Sequence, residues 1–280
     1  MKRRAPHDGA HPEAMDRTVI VTGASSGIGE ALARAWARRG ATVVLNARSE
    51  SALARIADEI QRDDGGKAVV HAGDVTREED RASLIAAARD RTGRLDVLVN
   101  NAGRGYYGSV ALIDPRELEE LFALNVIAPL RLAQLAIDPL TRTGGCIVMV
   151  SSLAGIVAAP RIGAYAASKF ALEALSMSLR AELVGTGVRV VVVRPGPVDT
   201  AFRAHAVTTD GTPGLRPPGG RVQSPSEVAD RTIRAVERRN AVVETSPYVR
   251  LVSATARVAP AATRWLTAAL NGWGGVGRGR

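Results

Sequence analysis

A chain of 280 residues, 46% of them hydrophobic, suffices for one α/β domain with a sizeable core. The net charge of +9 arises from 37 basic residues spread along the whole length without aromatic–basic alternation, which excludes a nucleic-acid-binding footprint. The single Cys146 excludes an internal disulfide, and four scattered histidines (7, 11, 71 and 205) show no metal-ligand spacing.

Residues 1–16 are polar and carry Lys2, Arg3 and Arg4 with no apolar segment behind them. They read as a disordered tail and not as a secretory signal, with Met15 as an alternative start. No apolar run nears the roughly 18 residues that span a bilayer, so a cytoplasmic protein is expected. From residue 17 short apolar runs alternate with helical patterns. Strand-like 18–21 precedes a glycine-rich turn and helical 30–39; 41–45 precedes helix 50–62; 68–71 precedes helix 78–91. Strand 96–99 leads to helix 115–135, which Pro129 is expected to kink or divide, and 147–150 leads to helix 163–184. Strand 188–193 is followed by a long loop, helix 226–239 and a last short run at 241–244. Continuously apolar strands are buried on both faces, and alternation with helices implies right-handed crossovers. The expected fold class is therefore α/β, a three-layer doubly wound parallel sheet of Rossmann type in a single domain over 17–246, followed by a helical extension over 247–280.

The first run opens into Thr22-Gly23-Ala24-Ser25-Ser26-Gly27-Ile28-Gly29 and then a helix. Glycines let backbone approach a pyrophosphate closely, and the helix N-terminus offers N–H groups and a positive dipole end to that anion. This T-G-x-x-x-G-x-G turn resembles the short-chain dehydrogenase/reductase family. Further positions carry the resemblance: Asp74 with Val75 after the third run, Asn100-Asn101-Ala102-Gly103 after the fourth, Asn125, Ser152, Tyr165-Ala-Ala-Ser-Lys169, and Arg194-Pro195-Gly196-Pro197-Val198-Asp199-Thr200. Each has a plainer reading as a helix cap, a turn residue or a satisfied core amide; their common order over about residues 17–245 favours the family.

The resemblance implies an oxidoreductase that moves a hydride between a nicotinamide cofactor and an alcohol or carbonyl substrate. It implies that Tyr165 exchanges the proton, that Lys169 lowers the phenol pKa and holds the nicotinamide ribose, that Ser152 bonds the substrate oxygen, and that Asn125 supports a proton path. Tyr165 and Lys169 are four apart on one helix face, and Lys169 is one of only three lysines in the chain. A free phenol has a pKa of roughly 10, which a nearby ammonium would lower. At the end of the second strand, Ala47 stands where the family's NAD-selecting acid would be, and Arg48 and Ser49 follow. A guanidinium suits a phosphate dianion, so NADP(H) is favoured over NAD(H), a solvated arginine being the plainer alternative. An NAD(P)-binding regulator or scaffold without turnover is the alternative function.

Substrate contacts are expected from 104–110 and from the long loop 197–224, where Tyr106, Tyr107 and Phe202 either line an apolar pocket or pack the loop. The extension reads as two amphipathic helices, 249–258 and 261–270, carrying Trp265 and Leu266, with Trp273 beyond them. These either dock on the protein or a subunit partner, or touch a membrane surface with help from Arg250, Arg257 and Arg264. A homodimer or homotetramer through 115–135 and 163–184 is expected from the resemblance.

Overall fold

Seven short runs of Val, Ile, Leu and Ala become the parallel strands of one sheet. They are β1 (Thr18–Thr22), β2 (Thr42–Ala47), β3 (Lys67–Ala72), β4 (Val97–Asn100), β6 (Cys146–Val150), β7 (Arg189–Arg194) and β9 (Val242–Glu244), in spatial order β3-β2-β1-β4-β6-β7-β9. The computed structural model describes residues 17–208 and 222–259. The tail 1–16, helix 261–270 with Trp265, Leu266, Trp273 and Arg264, and the middle of the long loop lie outside these residues.

Strand periodicity sorts the core into two layers. Val19 and Val21 of β1 face the cluster built with α1 (Gly27–Ala37), α2 (Glu50–Asp64) and α7 (Pro225–Glu237), which contribute Trp36, Ile56 and Ile233. Ile20 faces the opposite cluster, built with α3 (Glu78–Thr92), α5 (Ala128–Thr143) and α6 (Gly163–Glu182), which contribute Leu84, Leu132 and Leu172. Sheet order reverses at β1 and β4, which opens a crevice outside their carboxyl ends.

The helix expected over 115–135 is two helices and runs further. α4 (Pro115–Phe122) is capped by Asp114, whose side chain accepts from the Arg116 amide; a π turn, Ala123–Ile127, then leads into α5. The break falls on the π turn just before Pro129, which has no N–H to continue the ladder of helical bonds. Pro139 lies inside α5, yet the helix continues because Ala136 and Leu140 are held in the core. By length and composition Pro115–Thr143 is apolar enough to cross a membrane, which corrects the expectation that no segment would be. Its apolar face belongs to the core beneath the sheet.

Two elements were not expected. β5 (Tyr106–Tyr107) and β8 (Val207–Thr208) pair in parallel, joining the two loops above the crevice. α8 (Pro247–Val258) begins earlier than the pattern at 249, with Ser246 accepting from the Val249 amide as its cap.

Candidate active site

The crevice is a cleft of about 1110 Å³, large for a small-molecule pocket and long enough to reach from Arg48 and Asp74 at one end to Phe202 and Tyr248 at the other. Gly23, Ser25, Ser26, Gly27, Ile28, Arg48, Ser49, Asp74, Val75, Asn101, Ala102, Gly103, Ser152, Tyr165, Lys169, Pro195, Gly196, Val198 and Thr200 line it. Gly29 and Asn125 stand behind the lining.

The turn after β1 is shaped by close approach. Gly23 and Gly27 have φ of 64° and 60°, and a Cβ on Gly23 would lie 2.9 Å from the Ala102 Cα. A Cβ on Gly29 would lie 2.1 Å from the Gly23 carbonyl oxygen, so the helix start packs directly on the turn. Ser26, at the N-cap of α1, makes no side-chain capping bond, leaving first-turn amides available to an anion. The Thr22 hydroxyl accepts from the Asn101 and Ala102 amides, each at 3.0 Å, and Asn101 Nδ2 donates to the Thr22 carbonyl at 2.9 Å. These bonds tie the end of β4 to the glycine turn. A helix N-terminus and a glycine cradle beside a cationic end match the pyrophosphate and adenosine ends of a dinucleotide, so the residues present fit the cofactor.

At the far end, Arg48 and Asp74 face each other across the lining. Burial raises the Asp74 pKa, but hydrogen bonds from Thr76 and the charges of Arg48 and Arg77 outweigh it and hold the carboxyl below its usual range. Asp74 is not the cap of α3, since that position belongs to Arg77; its side chain accepts from the Thr76 amide at 2.9 Å. Ser49 caps α2 by accepting from the Ala52 amide.

The reacting end gathers Ser152, Tyr165 and Lys169. Ser152 and the Tyr165 phenol share a hydrogen bond, and Lys169 Nζ donates to the Val150 carbonyl at 2.9 Å while standing 5.9 Å from the Tyr165 ring centre. Burial pushes the Tyr165 phenol up to about 12, only partly offset by Ser152, and pulls the Lys169 ammonium down to about 8. The expected lowering of the phenol is thus not a property of the protein by itself: desolvation is the largest influence on both groups. Ser151 lines the cleft with its hydroxyl buried and unpartnered, whereas Ser152 reaches the phenol. Asn125, in the π turn, is buried; its Nδ2 donates to the Arg104 carbonyl and to Ser168 Oγ, each at 3.0 Å, and its Oδ1 accepts from the Arg104 amide. These bonds satisfy the side-chain amide and hold the loop that carries Gly103.

The family profile described as short chain dehydrogenase matches residues 17–211, most of the chain. The chain belongs to the short-chain dehydrogenase family. This short-chain dehydrogenase is similar to the ketoacyl reductase HetN of Nostoc sp., 34% identical over 251 residues, covering 87% of this chain and 85% of that protein. Among solved structures it resembles an alcohol dehydrogenase of the archaeon Thermococcus sibiricus complexed with 5-hydroxy-NADP, with TM-score 0.71 and 33% identity over 81% of this chain and 94% of that one. It also resembles a Burkholderia phymatum short chain dehydrogenase/reductase in complex with NAD, with TM-score 0.80 and 25% identity over 90% and 96% of the two chains. Membership makes this short-chain dehydrogenase an oxidoreductase with a nicotinamide cofactor and a small-molecule substrate.

Several lining residues carried no signal in the sequence, Tyr248, Val252 and Arg203 among them. Tyr248 and Val252 come from α8, placed over the cleft because Gly196 lets Val249 approach; a Cβ there would meet Val249 Cγ2 at 2.8 Å. Arg203 bonds the Tyr107 phenol. Of the three loop aromatics, Tyr107 and Phe202 line the cleft, Phe202 lying 5.8 Å from the Tyr165 ring, while Tyr106 is buried against Leu121 and Ala164. Cys146 is a buried thiol with its pKa pushed up to about 11 by desolvation, an inert core residue.

Proposed function

We propose that this short-chain dehydrogenase transfers a hydride between NADP(H) and an alcohol or carbonyl compound, with Tyr165 as general acid and base. One observation carries the reading: the Tyr165 phenol stands in the cleft, bonded to Ser152, one helical turn from Lys169. When bound, a nicotinamide supplies or accepts the hydride. The chain's own part is the proton. In reduction, a phenol kept protonated by burial gives its proton to the far more basic alkoxide oxygen, and Ser152 holds that oxygen beside it. In oxidation the same phenol must first ionise, and Lys169, still mostly protonated near pH 7 with its pKa at about 8, is the cation positioned to favour that.

Ser25, Ser26, Ile28 and the glycines would hold the pyrophosphate; Asp74 and Val75 the adenine; Asn101, Ala102, Gly103, Lys169, Pro195, Gly196, Val198 and Thr200 the nicotinamide half. NADP(H) is favoured over NAD(H) because Arg48, and no acid at Ala47, lines the adenosine end. A cytoplasmic homodimer or homotetramer completes the reading: Ile127, Phe170 and Met177 are apolar and 52%, 42% and 60% exposed on the π turn and α6. The test follows NADPH absorbance over ketones, aldehydes and quinones. Wild type is expected to turn over at least one class, and Tyr165→Phe to lose about a thousandfold or more in kcat with NADPH binding intact. Binding without turnover in wild type would instead favour a regulator.

A further inference from the structure

Glu173 lies one helical turn after Lys169 on α6, and both are 5% exposed. Its carboxylate is gripped at two points by Arg194, the last residue of β7: Nε donates to Oε1 at 2.9 Å and Nη2 to Oε2 at 2.8 Å. Arg194 directly precedes Pro195-Gly196 in the cleft lining. The turn begun by Ser152 rests on the same spot. A Cβ on Gly155 would meet Glu173 Cγ at 3.0 Å and Ser151 Oγ at 2.6 Å, and the Leu153 amide donates to the Pro195 carbonyl at 2.9 Å. Three elements that carry the reacting end therefore converge on one buried ion pair.

Burying such a pair costs desolvation that its attraction only offsets when the geometry is good, and apolar residues of similar volume often hold a core as well or better. Core stability alone thus gives no reason for charges here. We propose that Glu173 and Arg194 are a positioning pair for the reaction, locking the Tyr165–Lys169 turn of α6 against Pro195-Gly196 and the Ser152 turn. This rests on the oxidoreductase reading above. The pair also shapes the field at the site. Glu173 faces Lys169 and Arg180 from its own helix and Arg194 from β7; Arg194 also meets Glu244 of β9 at 3.4 Å, and Glu244 meets Arg257 of α8 at 3.6 Å. The Glu173 charge helps Lys169 keep its proton against burial.

The experiment compares the full-length protein with Glu173→Leu/Arg194→Met, an apolar replacement, and with Glu173→Asp, which keeps the charge and shortens the arm. Readouts are the melting temperature, the NADPH dissociation constant by fluorescence, and the Lys169 titration by NMR of ε-carbon-labelled lysine, tractable with three lysines in the chain. The double variant is expected to fold, to bind NADPH about tenfold more weakly, and to titrate Lys169 roughly one pH unit lower. Glu173→Asp is expected to weaken NADPH binding while leaving the Lys169 midpoint near wild type, and it decides the matter should the double variant not fold. Wild-type NADPH affinity in a folded variant overturns the proposal. A wild-type protein that binds NADPH but turns nothing over defeats the oxidoreductase reading, while affinity and titration still judge the pair.

Discussion

Lys169 shows how a single residue can serve chemistry against stability. Its pKa falls from 10.5 unfolded to about 8 folded, so the folded state loses this proton first as pH rises. The penalty of burying the ammonium is complete below about pH 8 and fades as pH rises toward 10.5, where the unfolded state also loses the proton. Tyr165 works in the opposite sense at higher pH: raised from 10.0 to about 12, it makes unfolding easier from pH 10.0 upward. Lys169→Met is accordingly expected to raise the melting temperature of the cofactor-free protein at pH 7 by a few degrees while abolishing turnover; calorimetry checks the first and the NADPH assay the second. At the other end of the cleft, Arg48→Ala is expected to weaken NADPH binding about 10–100-fold and spare NADH, the worth of a charge-assisted hydrogen bond, as read by fluorescence titration of both. The glycine turn, the Tyr165–Lys169 pair and the Pro195-Gly196 segment of the lining were legible in the sequence because such residues at fixed spacing have narrow physical uses. The pairing of Glu173 with Arg194 was not, since it joins residues 21 apart whose charges look like surface charges.

At the scale of elements, periodicity told nearly everything about the sheet and little about its junctions. Apolar runs gave seven strands because each is short, rich in β-branched residues and bounded by longer helical patterns. The π turn at Ala123–Ile127 falls just before Pro129, the residue expected to kink or divide this helix, while Pro139 lies inside α5 with Leu140 packed in the core. The junction between β1 and β4 depends on one hydroxyl. Thr22 is 1% exposed and accepts two amides, so Thr22→Val leaves the Ala102 amide without its partner and the Asn101 amide with only the Val99 carbonyl at 3.2 Å. The variant is expected to lose about 2 kcal/mol in urea unfolding, and to bind NADPH more weakly because Asn101 and Ala102 are released from the glycine turn.

For the molecule as a whole, the extension beyond the sheet is part of the site. Val249 is fully buried, and Tyr248 and Val252 close over the cleft, so the first part of the extension docks on its own protein. Leu251, 65% exposed, faces outward. The apolar stripe of α6 is another outward surface, and Phe170→Glu with Met177→Glu is expected to convert the proposed oligomer into a monomer of unchanged fold, as light scattering after gel filtration would show. The long loop is anchored apart from both. Val198 bridges Gln223, Gln223 Nε2 donates to the Thr245 carbonyl, and the Thr245 hydroxyl donates back to Gln223 Oε1 at 2.6 Å. With entry and exit stitched together beside the sheet, a graft of foreign sequence into this loop must keep Thr200, which abuts the glycine turn at Gly27, and the pairing of β8 with β5. What such a graft then changes is which molecules the mouth of the cleft admits, since Phe202 and Arg203 line it.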